Sequence, residues 1–358
     1  MKNLIINAGS ATHKYSLFDG DRKIDDVIYE RNLSGSLRDS MKKHADVNWR
    51  ELGSIAFRVV HGGNFFREPI VVSAKVLKIL KSLDEVAPLH NPFVRALIEQ
   101  AQKILPKVKK VLIFDTAFHK TIPEANWRYA LPRSLTDKHH LRRYGFHGIV
   151  CSSIVEQLRA KKKLPQRLII CHLGSGCSVT AVRDGKSVDT SMGFTPLEGL
   201  LMGTRAGDLD PGLILHLQRT FKLTEKDLQK ILNKESGLKA IAGTADMREI
   251  LAKLERGNAQ AGLAVEMFSR KAAKVVATSM VSLGGADLIV FSGGIGENSA
   301  LIREKICAHL RTFGVKIHSK RNLRARPGDG FQKFFSSVKL SYLNADEAGE
   351  MNRIVSAM

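Results

Sequence analysis

The residues that could do chemistry fall into two groups. The first is a set of glycine-rich turns, each placed after an apolar run: Asn7 to Ser10, His172 to Gly176 and Gly293 to Asn298. Backbone without Cβ atoms can approach a phosphate closely and aim N–H groups at it, so these turns are candidate phosphate cradles. None matches G-x-x-x-x-G-K-[ST], which excludes a Walker P-loop, and Gly293-Gly294-Ile295-Gly296 lacks the spacing of a dinucleotide fingerprint. The second group is polar side chains at strand ends: Lys14, Arg58, Asp115, His147, Arg205 and Asp246. Phosphoryl transfer needs cations around the moving group, a metal anchor and positioned partners, and the planar fork of arginine suits phosphate or carboxylate oxygens. The stretch Met192 to Gly212 is dense in glycine, proline and charge, a composition consistent with an ordered functional loop. His61, His90 and His119 are spaced 29 residues apart, which gives no helical ligand pair, so a zinc site is not expected.

Such residues need a scaffold, and the chain carries an internal echo of one. Leu4-Ile5-Ile6 runs into Gly9-Ser10, then Tyr15 to Phe18, then Asp19-Gly20. Leu168-Ile169-Ile170 runs into Gly174-Ser175-Gly176, then Ser178 to Val182, then Asp184-Gly185. Gly9 precedes Asp19, and Gly174 precedes Asp184, by the same 10 residues. Each copy reads as a strand, a tight turn, a second strand and an Asp-Gly hairpin, which implies two domains of similar design. Three further apolar runs, Ile55 to Val60, Lys110 to Phe114 and Asp287 to Phe291, suit buried strands of sheets covered on both faces. Ligands in such sheets gather beyond the carboxyl ends of the strands. Helical periodicity is expected over Pro92 to Ile104 and over Ala259 to Leu283, the latter stopped by Gly284-Gly285, with a closing helix after Asp346-Glu347.

Composition bounds the rest. A chain of 358 residues, 44% hydrophobic and 25% charged, is an α/β globular protein of about two domains, not a disordered chain or a coiled coil. No apolar run approaches the roughly 18 residues of a bilayer span, and Leu4-Ile5-Ile6 is too short for a signal peptide core, so a cytoplasmic location is expected. Cys151, Cys171, Cys177 and Cys307 form no C-x-x-C pair and indicate no disulfide framework. Lys and Arg number 56 against 35 Asp and Glu, a net charge of +21. Runs such as Lys161-Lys162-Lys163 lack interleaved aromatics, so the basic surface is read as solvated and attractive to small anions, and no nucleic acid is expected.

Several motifs together resemble the acetate/propionate/butyrate kinase family. They are Asn7-Ala8-Gly9-Ser10, Arg58-Val59-Val60-His61-Gly62-Gly63, Ala87-Pro88-Leu89-His90-Asn91-Pro92, Phe114 to His119 and Tyr144-Gly145-Phe146-His147-Gly148. The run Ser191 to Gly199, Met202-Gly203-Thr204-Arg205 and Gly294 to Asn298 continue the likeness in order along nearly the whole chain. The resemblance implies two duplicated ribonuclease-H-like domains of the actin-like and sugar-kinase-like ATPase fold, with the active site in the cleft between them. Residues 1–120 would form the carboxylate side, joined by a C-terminal helix over 348–358, and residues 121–347 the nucleotide side.

The implied reaction is reversible transfer of the ATP γ-phosphoryl group to acetate, giving acetyl phosphate and ADP, with Mg²⁺ (or Mn²⁺) and a homodimeric assembly. By matching motif, Asp115, His147, Arg58 and Arg205 are the implied catalytic residues. Arg58, Val60, Leu89, His90, Phe146 and Pro196 are the implied carboxylate site. Lys14, the segment His172, Leu173, Gly174, Ser175 and Gly176, the trio Asp246, Met247 and Arg248, and Gly294, Ile295, Gly296, Glu297 and Asn298 would meet the nucleotide. Asn7 and Asp346 would place the metal, with Glu347 the second choice beside Asp346. The chain departs from the family pattern at Ser10-Ala11-Thr12, Ile149-Val150-Cys151, Ser175 and Ala345-Asp346-Glu347. The alternatives are a propionate or butyrate kinase, or a catalytically impaired nucleotide-binding relative with a partner-binding basic surface.

Overall fold

A computed structural model describes residues 1–8, 12–30, 37, 49–87 and 90–358. Gly9, Ser10 and Leu89, singled out above, lie outside the described residues. The strands are β1 (Lys2–Ala8), β2 (Thr12–Asp19), β3 (Arg22–Glu30), β4 (Leu52–Val59), β5 (Ile70–Val71), β6 (Lys109–Phe114), β7 (Arg167–Leu173), β8 (Cys177–Arg183), β9 (Lys186–Thr190), β10 (Leu288–Ser292) and β11 (Lys339–Tyr342). The helices used below are α1 (Ala74–Ser82), α2 (Asn91–Ile104), α3 (Gly148–Ala160), α4 (Met247–Glu255), α5 (Ala259–Leu283), α6 (Gly293–Asn298) and α7 (Glu347–Ser356). The chain divides into unit 1 (Met1–Lys120, Phe146–Ser153 and Asp346–Met358) and unit 2 (Thr121–Gly145 and Ile154–Ala345).

In unit 1 the strand order is β3-β2-β1-β4-β6-β5. The first three pair antiparallel, β1, β4 and β6 are parallel, and β5 closes the edge antiparallel. Alternation along the strands sends side chains to two cores, as the pleat requires. Leu4, Ile6, Ile55, Phe57, Leu112 and Phe114 face a cluster that includes Val76 and Leu80 of α1 and Val94, Leu97 and Ile98 of α2. Ile5, Ala56, Val111 and Ile113 face the opposite way, onto Ile149 of α3 and Ala348, Met351 and Val355 of α7. The chain end is thus part of the first sheet's cover. Phe146–Ser153 joins the same unit because Ile149 fills that second core and the Gly148 N–H donates to the Asp115 carbonyl at 3.0 Å.

Unit 2 repeats the plan. Its order β9-β8-β7-β10-β11 matches β3-β2-β1-β4-β6 strand for strand, with the same antiparallel triplet and parallel pair. In both units the second and third strands shift register once, at Leu17/Phe18 and at Ala181/Val182. Helix α5 begins at the Asn258 cap, whose side chain accepts from the Ala261 N–H, and ends at Gly284 in the left-handed region. It buries Ala264, Val265, Phe268, Ala272, Val276 and Met280. All four cysteines are buried, and none forms a disulfide among the described residues. Among the described residues no helix is long and apolar enough to cross a membrane.

Candidate active site

Three parallel strands of unit 1 deliver polar side chains at their carboxyl ends, where ligands of such sheets bind. Asn7 is the penultimate residue of β1, Arg58 that of β4, and Asp115 follows β6 directly. Arg58 binds Asp115 Oδ2 through Nε at 3.0 Å and Nη2 at 2.6 Å. Its Nη1 donates to Asn7 Oδ1 at 2.9 Å and lies 3.2 Å from Glu347 Oε1. Asn7 Nδ2 then donates to Glu347 Oε2 at 3.1 Å, closing a ring of three side chains, with Asp115 held on the Arg58 fork beside it. Asp115 is 1% exposed and the Arg58 side chain 13%. Burial pushes the Asp115 carboxyl above its usual range, and the Arg58 guanidinium pulls it back down. The two facing carboxylates hold the Arg58 proton more tightly than usual, against the opposing effect of burial.

Helix α7 separates the two neighbouring acids at its start. Asp346 is its N-cap, accepting from the Gly349 N–H at 2.9 Å, with a side chain 57% exposed and Lys23 3.9 Å away. Glu347, one residue on, points into the Arg58 ring. The sequence favoured Asp346 as the metal carboxylate; the geometry brings Glu347, its second choice, to Asn7. Adjacent residues on a helix point about 100° apart, so only the cap register decides which one turns inward.

Opposite Asp115, His147 sits just before α3 with φ 58°, a left-handed conformation that costs a non-glycine residue on the order of 1 kcal/mol. Gly148 makes the placement possible: a Cβ there would lie 2.0 Å from the Asp115 carbonyl oxygen. Phe146 is buried and meets the His61 ring edge-on at 5.4 Å, while the His61 Nδ1 accepts from the Gly63 N–H at 2.9 Å. The Phe146 carbonyl is 2.9 Å from His119 Nε2. A carbonyl only accepts, so that nitrogen carries the proton, and burial holds the His119 pKa down to about 4. Val60 is buried and His90 half-buried at the start of α2. Lys14 pairs with Asp26 across β2 and β3 at 2.9 Å, outside the Arg58 ring.

Unit 2 holds the remaining candidates. Arg205 is half-buried; its Nη1 donates to the Pro196 carbonyl at 3.1 Å and approaches Met202 Sδ at 3.8 Å. Among the described residues it makes no ion pair, and burial draws its pKa down. The turn after β7 and the one after β10 adjoin: a Cβ on Gly174 would be 3.9 Å from the Gly294 nitrogen. His172 Nδ1 is 3.4 Å from Ser292 Oγ, the Gly174 N–H donates to the Gly176 carbonyl, and the Gly203 N–H to that of Ser175. The Gly293 to Asn298 turn folds as the short helix α6, with Glu297 Oε1 accepting from the Gly293 N–H at 2.8 Å. Gly293 has φ +77° and no room for a Cβ, whereas nothing lies within 4 Å of one built on Gly294. Leu173 and Gly296 are buried, and Ile295 lies between them in the chain on α6. Asp246 caps α4, its pKa lowered to about 2 by Arg248, whose own side chain is 91% exposed, and Met247 is buried.

A model of the acetokinase family matches residues 30–350. The acetate kinase of Syntrophobacter fumaroxidans is 46% identical over 99% of this chain and 96% of its own. Among solved structures, a propionate kinase from Francisella tularensis superposes with a TM-score of 0.91 at 34% identity, over 99% of this chain and 98% of that one. The acetate kinase of Porphyromonas gingivalis gives 0.89 at 31%, over 99% of both chains. Likeness of sequence and of fold over almost the full length leads to one conclusion: the chain belongs to the acetokinase family.

Proposed function

We propose that this chain is an acetate kinase, moving the γ-phosphoryl group of ATP to acetate in a single in-line step and yielding acetyl phosphate and ADP. The observation that carries the reading is the half-buried Arg58, held by Asp115, Asn7 and Glu347 at the carboxyl ends of three parallel strands. A carboxylate acceptor is already ionised at neutral pH, so the nucleophile needs no general base. The work left to the protein is positioning and charge stabilisation. Arg58 and Arg205 hold carboxylate and phosphoryl oxygens, and His147 donates a hydrogen bond to the transferring group. Asp115, whose Oδ2 accepts from both Nε and Nη2 of Arg58, orients that guanidinium and takes no proton from substrate.

Val60, Phe146, Pro196 and His90 are the proposed contacts of the acyl group by matching motif; Leu89, proposed with them, lies outside the described residues. The turns His172–Gly176 and Gly294–Asn298, together with Asp246, Met247, Arg248 and Lys14, receive the nucleotide.

The residues present fit a divalent ion. Buried Asp115 Oδ1 has no hydrogen bond among the described residues, Glu347 Oε1 meets only the Arg58 guanidinium at 3.2 Å, and Asn7 adds an amide oxygen. Among the described residues no three or more His, Cys, Asp or Glu gather to cage a metal. Mg²⁺ suits that sparse set, since it is usually held by one or two carboxylates, water and substrate phosphates. Asn7 and Glu347 would hold Mg²⁺ (or Mn²⁺), which would neutralise charge on the phosphates. A homodimer and a cytoplasmic location complete the proposal.

The test is ADP release with ATP, Mg²⁺ and formate, acetate, propionate or butyrate, alongside Arg58→Ala and Arg205→Ala. Turnover highest with acetate and lost in both variants supports the reading. The likeness to a propionate kinase makes propionate the competitor, and one methylene separates the two by only about 1–3 kcal/mol. A preference for propionate or butyrate would reassign the substrate, and ATP binding without turnover would indicate an impaired relative.

A further inference from the structure

We propose that Glu198 is a positioning residue for Arg205, acting through the loop that carries Pro196; the inference rests on the phosphotransferase reading above and assigns a residue that has no part in it. The Glu198 carboxylate accepts from two directions, the Tyr129 hydroxyl on Oε2 and Arg143 Nη2 on Oε1. Tyr129, its proton committed to Glu198, accepts the Phe194 N–H at 2.9 Å. Arg143 also donates to the Thr190 and Ser191 carbonyls at 3.0 and 3.1 Å, and the Tyr144 N–H donates to the Gly193 carbonyl. A Cβ on Gly193 would lie 1.6 Å from Glu198 Oε2 and 2.2 Å from the Tyr129 hydroxyl, so only glycine lets the carboxylate reach the loop.

The far end is pinned as well. The Gly199 N–H donates to Asp208 Oδ1 at 2.7 Å, and the Asp208 N–H returns to the Gly199 carbonyl at 3.1 Å. Between these anchors the Pro196 carbonyl accepts from Arg205. Arg205 has no ion-pair partner among the described residues, so this carbonyl fixes its aim, and Glu198 fixes the carbonyl. Burial keeps the Tyr129 hydroxyl protonated at neutral pH, and so a donor to Glu198. A glutamine at 198 can face Arg143 with its carbonyl oxygen only by turning its N–H₂ towards Tyr129, whose hydroxyl must then give up its donation and accept a second hydrogen bond.

The experiment compares wild type, Glu198→Gln, Tyr129→Phe, Arg205→Lys and the Arg205→Lys/Glu198→Gln double variant. Misaiming a charge-stabilising group by an ångström costs up to about a hundredfold, so kcat is expected to fall at least about tenfold in Glu198→Gln, and less in Tyr129→Phe. The KM for ATP should stay within about threefold of wild type. In the Arg205→Lys background the Glu198 change should matter less than about twofold, because the residue acts through Arg205. A second readout needs no turnover: the Arg205 Nε–H signal in ¹⁵N-arginine spectra should shift and broaden in Glu198→Gln and Tyr129→Phe. Additive losses, an equal loss of ATP affinity, a general collapse of the spectrum, or an Arg205 signal unchanged in both variants would overturn the proposal. Absence of turnover in the wild type, with the Arg205 signal responding as described, would overturn the kinase reading and leave the positioning role standing.

Discussion

Asp346 and Glu347 are chemically near-equivalent neighbours with opposite surroundings, and that difference is open to a direct test. Asp346 caps α7 from a position 57% exposed, and asparagine caps a helix as well as aspartate does. Asp346→Asn is therefore expected to leave the Mg²⁺ concentration for half-maximal turnover within about twofold. Glu347→Gln removes a carboxylate from the Arg58 ring and should raise that concentration by about tenfold or more, in line with losses of metal-site partners. Equal responses would refute the assignment. The sequence reading favoured Asp346 over Glu347, a choice that residue type alone does not make, because it is set by cap register. Arg58, Asp115 and Asn7 were legible because each stands at the end of an apolar strand. His119 tests a different residue-scale property. Its pKa is about 4 in the fold, against an ordinary 6.5, because it is buried. Between those values the unfolded chain holds a proton that the folded chain lacks. Stability should therefore fall by about 3 kcal/mol as pH drops through that window. Urea unfolding at pH 7 and pH 4 should show that dependence in wild type and a flatter one in His119→Gln, whose amide still donates to the Phe146 carbonyl.

Two glycines at helix starts separate what an element needs to fold from what it needs to bind. Gly148 opens α3 with its Cα against the Asp115 carbonyl, and a Cβ would come within 2.0 Å of backbone. Backbone cannot move aside as a side-chain tip can, so Gly148→Ala is expected to cost about 3 kcal/mol of stability and most of the activity, since it displaces His147 and Asp115 together. Gly294 opens onto empty space, so Gly294→Ala should fold with an unchanged Tm while raising the KM for ATP. Thermal unfolding beside ATP titration distinguishes the two, and a destabilised Gly294→Ala would contradict the assignment of that turn. At this scale the sequence was most legible where periodicity was strong. Helix α5 spans the whole of the expected Ala259 to Leu283, and α2 starts one residue before the expected Pro92. Strands β3 and β9 gave no such signal: Arg22–Glu30 and Lys186–Thr190 are edge or near-edge strands rich in charge, defined by pairing with β2 and β8 rather than by an apolar pattern. The Gly293 to Asn298 turn became helical because Glu297 accepts the Gly293 N–H, a contact that glycine spacing alone does not announce.

Over the whole chain, duplication was readable and charge was not explained by it. The matched hairpins translate into two sheets sharing one five-strand order, and the second core of the first sheet is completed by Ala348, Met351 and Val355 of the last helix. None of that topology requires a net charge of +21. If the proposed reaction holds, its substrates are anions, and a strongly basic surface raises their local concentration. The effect should scale with ligand charge and vanish with screening, whose length shrinks from about 30 Å at 0.01 M salt to about 8 Å at 0.15 M. The kcat/KM for ATP is accordingly expected to fall several-fold between those concentrations, that for acetate by a smaller factor, and kcat to stay level. Steady-state kinetics in potassium chloride at fixed free Mg²⁺ measures all three. A flat response for ATP would detach the charge from catalysis. Retention of the protein on a polyanion column at about 0.2 M salt would then assign it to a macromolecular partner, the expectation that the absence of interleaved aromatics argued against.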